Sequence, residues 1–205
     1  MSIRAVLYIL ALAALAQAAL VIDACRAGGP DFSEVSFTEI TQALLLLSAS
    51  LLMVYMRQCQ RMFPTAALLL GGLFFASFIR ENDMWLDTYV FDGSWQVLVT
   101  LVTLPALVIA IVRRQQLLSE LRQLTDSLGF GLFAGGFLIT YLFSRLYGRS
   151  ELWHALMRED YLRVVKDAAE EITEMSGYAL MLFGCLEMVL LARRVQRARQ
   201  VAHAR

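Results

Sequence analysis

Charged residues are scarce in this chain of 205 residues: they make up 18% of the sequence, while hydrophobic residues make up 59%. Soluble domains carry about 25% charged and roughly 45–50% apolar residues. A soluble core of this size could not bury so much apolar surface, so lipid must cover part of it. Proline and glycine number only 3 and 12, which argues against disorder. The composition therefore predicts an integral membrane protein of one domain.

Metal-ligating residues are few as well. The two histidines, His154 and His203, exclude bis-histidine haem ligation across a bundle and a three-histidine zinc site. The three cysteines, Cys25, Cys59 and Cys185, lack metal-ligand spacing, and the topology below separates them too far for a disulfide. No GxSxG, P-loop or HExxH motif occurs in the sequence. The sequence therefore predicts no particular metal, cofactor or catalytic residue.

Lysine is almost absent, since the 18 basic residues are 17 arginines and the single Lys166. This bias reflects the base composition of a genome and favours a bacterial source. The net charge of the chain is zero, and nothing in the sequence indicates a nucleic-acid partner.

Six long apolar stretches are present. A helix needs about 20 mostly apolar residues to cross roughly 30 Å of hydrocarbon, and in lipid the backbone must satisfy its own polar groups. The six predicted membrane helices are residues 5–22, 40–56, 62–79, 95–112, 127–144 and 175–192.

One connection is long and patterned. Apolar residues recur every three or four positions within residues 150–173, which predicts an amphipathic helix outside the membrane. We expect it to lie on the outer surface or against the bundle, and to run towards the last span with a break near Ser176 and Gly177. A basic tail, residues 193–205, follows that span. The predicted fold class is all-α: a polytopic membrane bundle of six transmembrane helices and one amphipathic helix.

The charge distribution predicts an orientation. With the N-terminus in the cytoplasm, the cytoplasmic pieces hold 11 of the 18 basic residues and only two acids, Glu120 and Asp126. Basic residues in short loops favour the cytoplasmic side. We therefore expect both termini in the cytoplasm and, given the bacterial bias, a location in a bacterial inner membrane.

Charged residues gather at the predicted outer ends of spans 2, 3 and 6. We interpret them as a ligand-binding or ion-pair cluster in which Arg80 pairs with an acid near span 6. The alternatives are a solvated rim, internal salt bridges that include Lys166, or a site for Ca²⁺, Mg²⁺ or Mn²⁺. The candidate residues are Glu39, Arg80, Glu81, Asp83, Glu170, Glu171 and Glu174.

Two further features lie within the spans. Glu187 stands about 9 Å from the predicted cytoplasmic boundary, and an acid at that depth either serves a function or is a protonated carboxyl bonded to a neighbouring helix. Gly131 and Gly135 form a small-xxx-small pattern, which allows close helix packing within the chain or in a dimer.

These features favour a non-catalytic binding or accessory subunit. The alternatives are a transporter of a small solute or ion, and a metal-dependent hydrolase or transferase that modifies lipid within the membrane. The expected partners are the bilayer, anionic lipid headgroups at the basic tail, and a protein partner or a second copy of the chain.

The orientation can be tested by cysteine labelling in intact cells, in a cysteine-free background. Because loops alternate across the membrane, Gly29→Cys, Gly93→Cys and Arg149→Cys should react with an impermeant reagent. Gln58→Cys and Gln115→Cys should react only after permeabilisation. One position on the wrong side would contradict the six-span arrangement.

Overall fold

The computed structural model of the chain describes residues 3–25 and 36–203, so residues 204–205 of the predicted tail lie outside it. Every regular element within these ranges is helical. The α-helices are α1 (Ile3–Ala19), α2 (Phe37–Gln58), α3 (Pro64–Glu81), α4 (Asp83–Tyr89), α5 (Ser94–Val112), α6 (Arg114–Thr125), α7 (Leu128–Leu138), α8 (Ser144–Tyr147), α9 (Ser150–Met157) and α10 (Arg163–His203). Two π-helical turns, Leu20–Ala24 and Ile139–Phe143, and a 3₁₀ turn, Arg158–Asp160, complete the described elements.

Six helical segments are long and apolar enough to cross a membrane, which confirms the predicted all-α bundle. They are Ile3–Asp23, Phe37–Gln58, Pro64–Glu81, Ser94–Val112, Leu128–Tyr147 and Arg163–Val201. Within its most apolar stretch of 18 residues, α10 has 67% of its residues buried, whereas the first segment has only 6%. The last helix is therefore packed mainly against protein, whereas the first presents most of its surface outwards.

The structure differs from the predicted single helix over residues 150–173. Helix α9 ends at Met157, because Arg158 has a φ of 53° and the left-handed region interrupts helical hydrogen bonding. Helix α10 then begins at Arg163 and continues for 41 residues, about 60 Å at 1.5 Å per residue. It shows no break at Ser176 and Gly177, so the part of the amphipathic segment from Arg163 onwards and the last span share one helix.

The described chain divides into two compact units. Unit 1 comprises Met1–Leu44 and Leu132–Phe183, and unit 2 comprises Leu45–Gly131 and Gly184–Arg205. Helices α2, α7 and α10 each contribute residues to both units.

In unit 1 the buried Asp23 caps the start of α2. Its carboxylate accepts hydrogen bonds from the amides of Phe37 and Thr38, both at 2.9 Å, and from Thr38 Oγ1 at 2.5 Å. The next amide, that of Glu39, donates to Ser36 Oγ at 3.2 Å. The first amides of a helix lack partners within the helix, and a carboxylate there also meets the positive end of the helix dipole. The π-helical turn that contains Asp23 completes the first membrane helix at this contact.

In unit 2 a carboxylate also accepts amide hydrogen bonds at the start of a helix, in two places. Glu120 of α6 is 5% exposed, and its Oε2 accepts hydrogen bonds from the amides of Thr65 at 3.0 Å and Ala66 at 2.7 Å in the first turn of α3. Asp87 of α4 accepts a hydrogen bond from the amide of Gly93 at 3.0 Å, just before α5. Gly93 has a φ of 82°, a conformation that suits glycine in this turn.

Close helix packing depends on glycines other than the predicted pair. A Cβ at Gly136 would lie 2.5 Å from the carbonyl oxygen of Gly177 in unit 1, and one at Gly129 would lie 2.8 Å from that of Gly184 in unit 2. A Cβ at Gly131 or Gly135 would meet nothing within 4 Å among the described residues. Packing of Gly131 and Gly135 within the described chain is therefore contradicted.

Adjacent substitutions test this packing. Gly136→Ala should destabilise the protein by about 1–3 kcal/mol, because the new methyl group collides with the backbone of α10. Gly135→Ala should leave stability unchanged or raise it by up to about 1 kcal/mol, since alanine is the better helix former. Thermal unfolding in one detergent would compare the two variants, and equal losses would contradict the assigned contact.

Candidate functional site

A buried polar cluster in unit 1 is centred on Glu174, which is 2% exposed. Ser144 Oγ lies 3.1 Å from Glu174 Oε1, and Arg145 forms a close ion pair with the same oxygen. Thr140 Oγ1 donates to the backbone carbonyl of Glu174 at 3.4 Å. In a π-helical turn the amide of residue i+5 donates to the carbonyl of residue i, as Ser144 does to Ile139 after the turn Ile139–Phe143. Thr140 and Ser144, at the two ends of this turn, both contact Glu174.

The same arginine also contacts the next carboxylate along α10. Arg145 Nη1 lies 3.5 Å from Glu170 Oε1, and Lys166 Nζ lies 3.0 Å from Glu170 Oε2. Lys166 also donates to Asp167 at 3.1 Å. The two cations Arg145 and Lys166 therefore balance Glu170 and Glu174. The pairing of Lys166 with Glu170 is the one that their spacing of four residues allows on a helix.

The chain approaches Glu170 closely at Gly148. A Cβ at Gly148 would meet the Glu170 carboxylate, so the backbone here runs directly beside the flexible end of that side chain. Trp153 of α9 donates its indole N–H to the carbonyl oxygen of Tyr147 at 2.6 Å, which ties α9 to the end of α8. These contacts hold the connection that carries Arg145 against the first turns of α10.

Gln42 connects α2 with α10. Its Nε2 donates to the backbone carbonyl of Glu171 at 3.0 Å and to Glu171 Oε2 at 2.9 Å. The side chain is fully buried, and its Oε1 has no hydrogen-bond partner within the part of the chain that the structure describes. A buried acceptor without a donor is costly, so this oxygen would favour a water molecule or a cation.

The predicted cluster is thus only partly assembled within one unit. Glu170, Glu171 and Glu174 share the polar cluster of unit 1, and Glu39 lies half-buried in the first turn of α2 in the same unit. Arg80, Glu81 and Asp83 belong to unit 2.

Arg80 has an ion pair of its own in unit 2. Its Nη2 lies 3.1 Å from Glu81 Oε1, and the Glu81 side chain is only 6% exposed. Helix α3 ends at Glu81, and Asp83 begins α4 two residues later. The pairing of Arg80 with an acid near span 6 stays a prediction.

Glu187 is 8% exposed, within the part of α10 that belongs to unit 2. A carboxyl group so far inside an apolar segment must be paired, hydrogen-bonded or protonated. It belongs to a segment apolar enough to cross a membrane, and its position within the membrane stays a prediction.

No group of three His, Cys, Asp or Glu residues has an arrangement that could hold a metal ion within residues 3–25 and 36–203. The cluster instead offers carboxylates with protein partners and one buried amide oxygen without a donor among the described residues. The Ser144 hydroxyl lies beside a carboxylate, that of Glu174, but Arg145 already pairs with this carboxylate. Such a set can fix helices and orient a polar ligand. General base catalysis would first require one carboxylate to leave its ion pair.

Sequence reasoning missed three residues. Arg145, Asp23 and Glu120 are absent from the predicted cluster, because the sequence shows only that each is a charged residue near the end of an apolar stretch or in a connection. The Ser36-Phe37-Thr38-Glu39 capping-box pattern was the one available signal for a helix start near Asp23.

The fold defines a multi-pass α-helical membrane protein with a buried, ion-paired polar cluster. Comparisons with protein-family models, with curated proteins and with solved structures found no match for this chain.

The ion pair at the centre of the cluster can be measured by a double-mutant cycle. Arg145→Ala and Glu174→Ala should couple by about 1 kcal/mol or more, within the roughly 0.5–3 kcal/mol seen for contacting residues, because Glu174 is buried. The exposed pair Arg149–Glu151, at 3.7 Å, should couple by less than about 1 kcal/mol. Both cycles would use thermal unfolding in one detergent.

Equal coupling in the two cycles would contradict a special role for Glu174. A third cycle, Arg80→Ala with Glu174→Ala, tests the pairing predicted from sequence, and simple additivity there would show that the two residues do not share a site.

Proposed function

We propose that the chain is a non-catalytic binding or accessory subunit of a bacterial inner membrane, with both termini in the cytoplasm. The observation that carries this proposal is the engagement of the cluster by the chain's own side chains. Glu174 is held by Ser144 and Arg145, and Glu170 by Arg145 and Lys166. A paired network of this kind supports a fixed architecture rather than proton transfer.

The proposed orientation rests on the 11 basic residues of the cytoplasmic pieces. The same charges support contact between the basic tail and anionic headgroups of the inner leaflet. A subunit of this kind would present its apolar outer faces to lipid, a second copy or a partner's membrane helix.

Elemental analysis of protein purified without chelators tests the proposal against a metal-dependent enzyme. The wild type should hold well below one equivalent of Mg²⁺, Ca²⁺, Mn²⁺ or Zn²⁺ per chain, because arginine and lysine neutralise the cluster acids. Glu174→Gln, which keeps the shape of the side chain, is the matched variant. One equivalent in the wild type that Glu174→Gln loses while it remains folded would replace the proposal with a metal enzyme.

Blue-native electrophoresis of mildly solubilised source membranes supplies a second measurement. An accessory subunit should migrate in a complex larger than its own 23.0 kDa. A monomer in every mild detergent would count against the accessory role.

A transporter is the second candidate, and the unpaired Gln42 Oε1 favours it. A buried amide oxygen beside Glu171 could bind a hydrated cation, or a water molecule that carries a proton, along a transport path. Flux measurements in proteoliposomes would discriminate between the two roles. A cation or proton flux that Gln42→Leu abolishes, with Gln196→Leu in the tail as control, would establish transport.

A further inference from the structure

An apolar groove of about 370 Å³ lies in unit 2, among α2, α3 and α5. Its rim includes Leu51 and Val54 of α2 and Phe75 of α3, which are 59%, 43% and 38% exposed. These helices are long and apolar enough to cross a membrane, so exposed side chains of this kind face lipid. The groove is therefore open sideways, towards the acyl chains.

The floor of the groove is formed by close helix packing. A Cβ at Gly71 would lie 3.3 Å from Met53 Cβ, and one at Gly72 would lie 3.4 Å from Ala106 Cβ. Small residues here leave a depression that larger ones would fill. Ser50, a polar residue of the wall, already donates its hydroxyl to the carbonyl oxygen of Gly71 at 3.3 Å. The wall therefore suits a hydrocarbon chain.

One end of the groove carries a cation. Arg57 of α2 lines it, and its Nη1 is buried without a hydrogen-bond partner among the described residues. A buried donor on a charged group is costly unless an acceptor satisfies it, and an anion does this best. The groove is therefore lined by apolar side chains along its length and carries the guanidinium of Arg57 at one end.

The dimensions match one leaflet. The lining residues of α2 extend from Leu47 to Arg57, ten positions or about 15 Å along the helix axis. This is half of the roughly 30 Å of hydrocarbon in a bilayer. A lipid whose headgroup lies beside Arg57 would place its acyl chain along the groove.

We propose that this groove binds one anionic phospholipid, with its phosphate on Arg57 and an acyl chain between α2, α3 and α5. A guanidinium matches a phosphate with two parallel hydrogen bonds. Exposed arginines flank this end in sequence: Arg61 follows Arg57 by four residues, and Arg113 follows the lining residue Ile109 by four. They would repel the quaternary ammonium of a choline headgroup and attract an anionic one. This site is separate from the polar cluster and does not depend on the accessory role.

Native mass spectrometry of the full-length, delipidated protein tests the proposal. The probes are phosphatidylglycerol and phosphatidylcholine with the same acyl chains. The wild type should bind one phosphatidylglycerol at least about fivefold more tightly than phosphatidylcholine. Arg57→Gln should weaken phosphatidylglycerol binding at least about tenfold, because a charge-assisted contact is lost. Arg114→Gln, an exposed arginine at the start of α6, should change it less than twofold.

Two substitutions along the groove test the proposal separately, in case Arg57→Gln destabilises the fold. Leu51→Trp should block the groove and prevent lipid binding, because residue 51 is on the rim and the larger ring can lie across the opening. The fold should tolerate this change, since Leu51 is 59% exposed and the ring need not enter the core. Leu107→Trp, on α5 and 52% exposed but away from the groove lining, should retain it. Thermal unfolding without lipid confirms that each variant is folded.

Three results would overturn the proposal. Equal affinity for the two lipids would mark the groove as part of the general lipid shell. Equal effects of Arg57→Gln and Arg114→Gln would assign the preference to overall charge. A dimer or a partner's helix that Leu51→Trp disrupts, with lipid binding unchanged, would show that protein occupies the groove.

Discussion

A helix that begins in or near lipid has backbone N–H groups that no water satisfies, and this constraint governs much of the structure. Asp23, Glu120 and Asp87 each supply a carboxylate to amides at or just before the start of a long apolar helix. Each comes from a different segment than the helix it serves. In each contact an amide gains an acceptor, and the buried carboxylates of Asp23 and Glu120 gain donors that reduce the cost of their burial. Losing one such acceptor costs about 0.5–2 kcal/mol in ordinary helix caps.

In the polar cluster of unit 1, side chains alone offset the repulsion between neighbouring carboxylates. The first turns of α10 carry four acids within eight positions, Asp167 to Glu174, and their mutual repulsion would weaken the helix. Lys166 relieves it from within the helix, whereas Arg145 does so from a neighbouring segment through its ion pairs with Glu170 and Glu174. The ion pairs therefore both offset the repulsion and connect this segment with α10.

The sequence was sufficient for the number and approximate bounds of the membrane helices, because length and hydropathy are set directly by the lipid. It was sufficient for Lys166 with Glu170 because both lie on one helix. It did not reveal Arg145 with Glu174, the Glu120 contact with α3, or the glycines at 136 and 177. These depend on which faces of distant helices meet, and a pattern such as Gly131-x-x-x-Gly135 marks a permitted approach without saying whether a neighbour uses it. The continuity of α10 over 41 residues differs from the predicted break near Ser176 and Gly177, because a serine and a glycine lower helix propensity without ending a helix that is packed against its neighbours.

The position of Glu120 has a consequence for the order of synthesis. Asp23 and Asp87 precede the helices they serve, so their carboxylates are already present when those helices leave the ribosome. Glu120 follows Ala66 by 54 residues, which takes about 3–11 s at 5–20 residues per second. During that interval the amides of Thr65 and Ala66 lack the carboxylate that accepts their hydrogen bonds in the folded chain, so water or another group must serve them. A pause in translation between α3 and α6 would lengthen the time for which the start of α3 lacks this native partner.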